Sequence, residues 1–384
     1  MFKFRFSIFI SFLFITFFGC QSNKKELSAD RAKSNKDYKI IAYVAGWNDF
    51  ESEDIDAEHL THINYAFANI INGKVSEGEG KAERDSLNYI KLRSLKNRNP
   101  NLKIIVSIGG WGWSGGFSDA VSTDSSRKIL TKSAIDYLNK YDLDGLDFDW
   151  EYPSLPGIGN PHKPEDKDNF VLMLKSMREA LDSLSKETNK AYLTSIASGG
   201  FDEYIDTNDL GEAHKYLDFV NIMTYDFHGG WDSITGHHTS LYNSKDGELS
   251  ADRAVKKHVE AGVPIEKLVM GIAFYGRSWK GAASNKNGLY QQATSGGGEY
   301  PFKRIDTLIN KHGFVKYWDE IAQAPYLWNA DSAIFVSYDD EKSIKKKCDY
   351  IKEKNMGGAM FWEYSTDVNN KLLHVIHQEL AEPK

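Results

Sequence analysis

Cysteine is almost missing from the 384 residues: there are two, Cys20 and Cys348, and no CxxC pair or His/Cys cluster at zinc spacing. A disulfide framework and a structural zinc ribbon are therefore not indicated, and Cys348, inside a predicted helix, reads as a small buried thiol. Basic excess is missing too. A net charge of -7 and a pI near 5.9 make nucleic acid or an anionic membrane surface a poor partner. No run is long enough to span a bilayer, the longest apolar stretch being Phe6 to Phe18. Low-complexity tracts and repeats beyond a βα alternation are absent outside one polar segment near the N-terminus.

That short apolar stretch follows Lys3 and Arg5 and reads as an export signal. Gly19-Cys20 closes it, and a polar, Lys-rich segment follows to Lys36, which resembles a bacterial lipoprotein signal and its tether. Residues 1–19 are thus expected to form the signal and 20–37 the tether. Cys20 is the expected lipidation site and the only expected membrane contact. An ordinary secretory signal with an incidental cysteine is the alternative.

Aromatics are plentiful, with nine Trp, twenty Tyr and twenty-one Phe, a bias that suits flat apolar ligand faces such as sugar rings. Eight β-rich apolar runs recur along the chain, at 39–47, 62–70, 103–111, 143–150, 191–200, 219–227, 268–276 and 357–364. Helical periodicity lies between several of them, as in Ile129, Leu130, Ala134, Leu138 and Tyr141, or Phe170, Leu174, Met177, Leu181 and Leu184. Strands alternating with helices imply right-handed crossovers, and eight of them predict an α/β fold closed into a (β/α)8 TIM barrel. About eighty residues separate the last two runs, more than one crossover needs. The Gly- and aromatic-rich segment 277–337 is therefore expected to be a small α+β insertion subdomain between strands 7 and 8, with 38–276 and 338–384 forming the barrel. The run Lys345-Lys346-Lys347 in the following helix reads as a solvated face.

The chemistry concentrates in "DGLDFDWEYP", residues 144–153. Side chains two apart share a strand face, so Asp147, Asp149 and Glu151 point together into the barrel while Leu146, Phe148 and Trp150 point away. Three buried carboxylates cost several kcal/mol each unless they are hydrogen-bonded, share protons or meet a cation, and such a cost marks a site. Binding of a hard cation, a structural ion network, and a proton-sharing stack that raises the pKa of the last acid all remain open on these residues alone. Asp144, at the strand's start, reads as structural.

The spacing Asp144-x-x-Asp147-x-Asp149-x-Glu151 resembles the DxxDxDxE signature of the chitinases of glycoside hydrolase family 18. "SIGGW" at 107–111, "MTYDFHGGW" at 223–231, "YGRSW" at 275–279 and "GGAMFW" at 357–362 resemble further signatures of that family, so the likeness runs from about 38 to 375. The resemblance implies hydrolysis of β-1,4-linked N-acetylglucosamine polymers or oligomers, with retention, through an oxazolinium ion formed by the sugar's own 2-acetamido group. It implies Glu151 as general acid and base, Asp149 and Asp147 as its supports, and Tyr225 as a donor to the acetamido oxygen. Trp362 would be the plate beneath the reacting sugar. Met223, Asp226, Tyr43, Phe67, Ser107, Gly110, Trp111, Tyr152, Arg277 and Trp47 would line or support the subsites, with Trp231 among the sugar-contacting positions and Trp113 and Trp318 as further aromatics of interest. His228 reads as structural or sugar-contacting. "HTSLYNS" at 238–244 departs from the family's usual Ser-Pro-Leu-Tyr, which touches loop contacts and no catalytic position. No cofactor or metal is implied, chitin or chitooligosaccharide is the expected partner, and a monomer is expected. An endo-β-N-acetylglucosaminidase on N-glycans and a non-catalytic chitin-binding lectin are the alternatives; intact Glu151 and Asp149 speak against the lectin.

Overall fold

The computed structural model describes residues 1–3, 37–245, 248–367 and 369–381. Residues 4–36, with most of the expected signal, Cys20 and nearly all of the tether, lie outside the described residues. The chain divides between Lys36 and Asp37, and every element below belongs to the second part.

Eight parallel strands form the ring: β1 (Lys39–Ala45), β2 (His62–Ile71), β3 (Lys103–Gly109), β4 (Gly145–Asp149), β5 (Leu193–Gly199), β6 (Phe219–Met223), β7 (Leu268–Ala273) and β8 (Gly358–Trp362). Each pairs with the next, and β1 pairs with both β2 and β8, which closes a (β/α)8 barrel. The strands read as near-continuous apolar runs because the interior covers one face and the helices cover the other. Leu146, Phe148 and Trp150 of the β4 segment join the outer core with helix residues such as Phe170 and Met177. A smaller inner core holds Ile41, Ala66, Ile105, Phe219, Val269 and Met360. The alternation predicted for the acidic strand is thus the division between these two cores.

The helix Asp124–Tyr141 starts at Thr123, whose side chain accepts from Ser126 N in a reciprocal capping box. It buries Leu130, Ala134, Leu138 and Tyr141, but Ile129, counted in the same stripe from sequence, is 47% exposed, because it sits about 100° around the helix from Leu130. The helix Glu341–Lys354 is capped by Asp340 and Ser343 in the same way. Here the expected solvated lysine face is corrected. Lys345 and Lys346 are exposed, but Lys347 turns inward, fully buried, and donates to Asp339 Oδ2 at 2.5 Å and Thr239 Oγ1 at 2.7 Å. Three consecutive helical positions span about 200° of arc, so they cannot all face water on a helix packed against a barrel.

Between β7 and β8 the chain leaves the ring and builds a five-stranded antiparallel sheet. Its order is Ser295–Pro301, Tyr275–Lys280, Ile334–Tyr338, Ala324–Asn329, Phe314–Asp319, with the helix Phe302–Leu308. This sheet is the inserted α+β part, with a separate core of Trp279, Leu289, Tyr326, Trp328 and Phe335. In chain order its first strand starts at Tyr275 and its last ends at Tyr338, just outside the expected 277–337.

Candidate active site

Strand register builds the floor. Asp147 on β4 stands level with Ser107 on β3 and Ser195 on β5. Ser107 donates to Asp147 Oδ2 at 2.7 Å and Ser195 to Oδ1 at 2.6 Å. From across the barrel Tyr43 donates to Oδ2 at 2.9 Å, and the Asn221 amide approaches Oδ1 at 3.4 Å. Four donors therefore surround a fully buried carboxyl. One step further along the strand, Asp149 is equally enclosed, yet its Oδ1 has no hydrogen-bond partner among the described residues. A further step brings Glu151 to the mouth. Its backbone is fixed there by N–H donation to Ser114 Oγ at 2.9 Å and by Asn160 Nδ2, which donates to its carbonyl at 3.1 Å. The glycines of "SIGGW" make room for this strand end. Gly109 has a φ of +106°, and a Cβ there would lie 2.3 Å from the Asp149 carbonyl.

Burial in this column disfavours charge. It pushes Asp147 up despite its four donors. Asp149 is pushed well up, by burial and then by the neighbouring Glu151 and Asp147 carboxyls, which favours its protonated form. Glu151 is pushed up to about 7, chiefly by burial, with a hydrogen bond to Tyr152 pulling down and the Asp226 charge pushing up. A carboxyl at the mouth of a cleft that titrates near neutrality can both give and take a proton. Asp226 goes the other way. Burial opposes its charge, but His238 and Arg277 hold it well below the usual range. Arg277 clamps it bidentately, Nε to Oδ1 at 2.8 Å and Nη2 to Oδ2 at 2.6 Å, and Tyr275 adds a third donor at 2.8 Å. The Tyr225 hydroxyl, raised by burial and by Asp149, stays protonated as a donor.

Above this column opens a groove of about 1130 Å³, bounded by aromatic side chains. Trp362 lies at its base, with Phe67 nearly parallel to it at 5.6 Å and Tyr43 and Trp47 at 5.8 and 6.1 Å. Trp47, Trp111 and Trp231 are 55%, 48% and 63% exposed along the same groove, where an indole in water signals a binding surface rather than a core. The inserted sheet supplies the wall carrying Tyr275, Arg277 and Glu299. A row of raised carboxyls beneath an aromatic trough suits acid-base chemistry on a long, flat, polar-edged ligand such as a glycan.

Residues 39–367 match the family described as glycosyl hydrolases family 18. The chain belongs to that family. It is 37% identical to chitinase A1 of Niallia circulans over 91% of its length, spanning 59% of that protein, and 32% identical to mouse chitotriosidase-1, covering 86% of this chain and 73% of that one. Among solved structures it resembles a family 18 N-acetylglucosaminidase from Paenibacillus barengoltzii, with a TM-score of 0.83 and 42% identity over 90% of this chain and all of that one.

Within this family 18 hydrolase, most residues singled out from sequence line one groove: Glu151, Asp149, Tyr225, Trp362, Met223, Asp226, Tyr43, Phe67, Trp111, Tyr152, Arg277 and Trp47, with Trp113 and Trp231. Asp147 lies beneath them. Ser107 and Gly110 support the groove and do not line it: Ser107 is buried under the floor as a donor to Asp147, and Gly110 N donates to the Asp149 carbonyl at 2.7 Å. Trp318 lies in the inserted sheet, outside the groove lining, with the Lys342 ammonium 3.7 Å from its ring. His228 sits between Asp232 and Glu248, at 3.3 Å from each, and does not line the groove. Asp144 is structural, held by Lys96 at 2.6 Å, Lys190 at 3.2 Å and the Ile104 N–H. Sequence reasoning missed Ser195, Asn221, Tyr275, Ser114 and Glu299. Of these, Asn221 carried a signal as a polar residue in the middle of the apolar run "FVNIM", and Tyr275 as the first residue of "YGRSW".

Proposed function

We propose that the groove hydrolyses β-1,4-linked N-acetylglucosamine polymers or oligomers with retention of configuration, using the substrate's 2-acetamido oxygen as nucleophile. The observation that carries the reading is the column Asp147, Asp149, Glu151, graded from a fully bonded carboxyl below to one titrating near 7 at the mouth. Glu151 protonates the glycosidic oxygen, the acetamido oxygen attacks the anomeric carbon, and the glycosidic bond breaks to leave an oxazolinium ion. Glu151, now a carboxylate, takes a proton from the water that opens this ion, and the product keeps its β configuration. Asp149 Oδ1, buried without a partner, fits the acetamido N–H, and Tyr225 donates to the acetamido oxygen. Trp362 carries the sugar as it tilts out of its chair. An enzymic nucleophile is disfavoured because Asp226, the other ionised carboxylate near the floor, has its oxygens committed to Arg277 and Tyr275.

The test is release of a chromophore from an aryl chitobioside. Glu151→Gln keeps the volume and removes the proton, so activity is expected to fall by roughly 100- to 10,000-fold. Equal rates for the two proteins overturn the reading. The likeness to an N-acetylglucosaminidase over that protein's full length favours a second possibility, removal of single sugars from short chains. Product analysis on chitin oligomers and on an N-glycoprotein separates this, endo-chitinase action and endo-acting cleavage of N-glycans. Likeness to a chitinase of cell-surface-expressed machinery supports export, and the Gly19-Cys20 junction of the sequence supports anchoring through Cys20.

A further inference from the structure

Away from the groove, the connection between β1 and β2 meets the last helix, Lys371–Leu380. Two imidazoles converge there on one carboxylate oxygen. His59 Nδ1 lies 2.6 Å from Asp56 Oδ2, and His374 Nε2, 318 residues along the chain from Asp56, lies 2.9 Å from the same atom. All three donor atoms fall within 4.8 Å of one another. None of the three residues lines the groove. The His377 ring, one helical turn beyond His374, lies 4.1 Å from the His59 ring, so a third imidazole borders the cluster.

We propose that Asp56, His59 and His374 form a binding site for a divalent transition-metal ion of the zinc class. Two imidazoles with one carboxylate suit zinc, nickel or copper, whereas calcium and magnesium prefer all-oxygen sites. Zinc bonds of about 2.0–2.1 Å place tetrahedral ligand atoms roughly 3.3 Å apart. The present contacts open to that spacing by less than about 1 Å, a small χ rotation for side chains bordering solvent. The carriers are held in place from behind. Asp56 N donates to the Tyr364 hydroxyl at 2.8 Å, and that hydroxyl also bonds Asn370 Oδ1 at 2.8 Å, directly before the last helix. Exposures of 52% for His374 and 32% for His59 leave an entry path. An ion held here ties the β1–β2 connection to the chain's last helix and stabilises the folded barrel by mass action.

The experiment uses the untagged full chain carrying Cys20→Ser, which leaves the buried Cys348 as the one thiol, stripped with chelator and titrated with zinc sulfate by calorimetry. The expected result is saturable uptake of one zinc per chain and a melting temperature raised by a few degrees. Both effects are lost in His59→Ala and in His374→Asn, while hydrolysis of a chitobioside is unchanged. His374→Asn, at a half-exposed position, keeps the test open if His59→Ala loosens its loop. Absence of saturable uptake, or uptake undiminished in the double variant, overturns the proposal and leaves a hydrogen-bonded latch.

Discussion

The pH dependence of hydrolysis follows from one number. Glu151, pushed up to about 7 by burial first and by the Asp226 charge besides, must carry its proton to start the reaction. It is about half protonated at pH 7, roughly a tenth at pH 8 and a hundredth at pH 9. The expected kcat/KM is level below about pH 6 and falls tenfold per unit above about pH 7, each decade being about 1.4 kcal/mol of barrier. Neighbouring Asp149 is pushed up by burial and by Glu151 itself, so the two carboxyls titrate as a pair and the limb is theirs jointly. Asp226→Asn fixes the sign. It removes a negative charge that raises Glu151 and leaves the Arg277 cation unneutralised, so the basic limb moves to lower pH. The assay is chromatographic rate measurement on chitin tetramer from pH 4 to 9 for both proteins. A basic limb below pH 5, or one that does not move in Asp226→Asn, refutes the reasoning.

Trp362→Ala, which removes the plate backed by Phe67, is expected to lower kcat/KM on oligomers by roughly 10- to 100-fold, about 1.4–2.7 kcal/mol, with unchanged circular dichroism; unaltered kinetics contradict its role. Lys347→Met strands the Asp339 carboxylate in the core and should cost about 3–5 kcal/mol in urea unfolding. Adding Asp339→Leu recovers much of that loss, and a single variant within about 0.5 kcal/mol of the parent contradicts the buried pair. Mass spectrometry of the mature chain should find a diacylglyceryl group on an N-terminal Cys20; any other unmodified N-terminus refutes anchoring.

The barrel was legible because its strands are buried on both faces, which writes them as apolar runs that polar helices interrupt. The acidic strand was legible for the converse reason: Asp147, Asp149 and Glu151 break such a run at every second position. What could not be read was whatever depends on register between strands. Ser195 supports Asp147 only because β5 pairs with β4 at that level, and an isolated serine in "LTSIASG" says nothing of it. Ser107 drew notice only through its motif, and the level at which it meets Asp147 is set by the pairing of β3 with β4. Lys347 was hidden in a run of like charges whose inward member only the helix's packing reveals. Asp56, His59 and His374 belong to no local pattern, since the fold alone brings them together.

The central claim is that the sugar supplies the nucleophile. The most direct measurement is proton NMR of the anomeric signals as chitin tetramer is cleaved, with fully deacetylated tetramer alongside. β-anomer appearing first, and no cleavage of the deacetylated chain, is the result predicted. An initial α-anomer, or comparable hydrolysis without the acetamido group, would contradict the account.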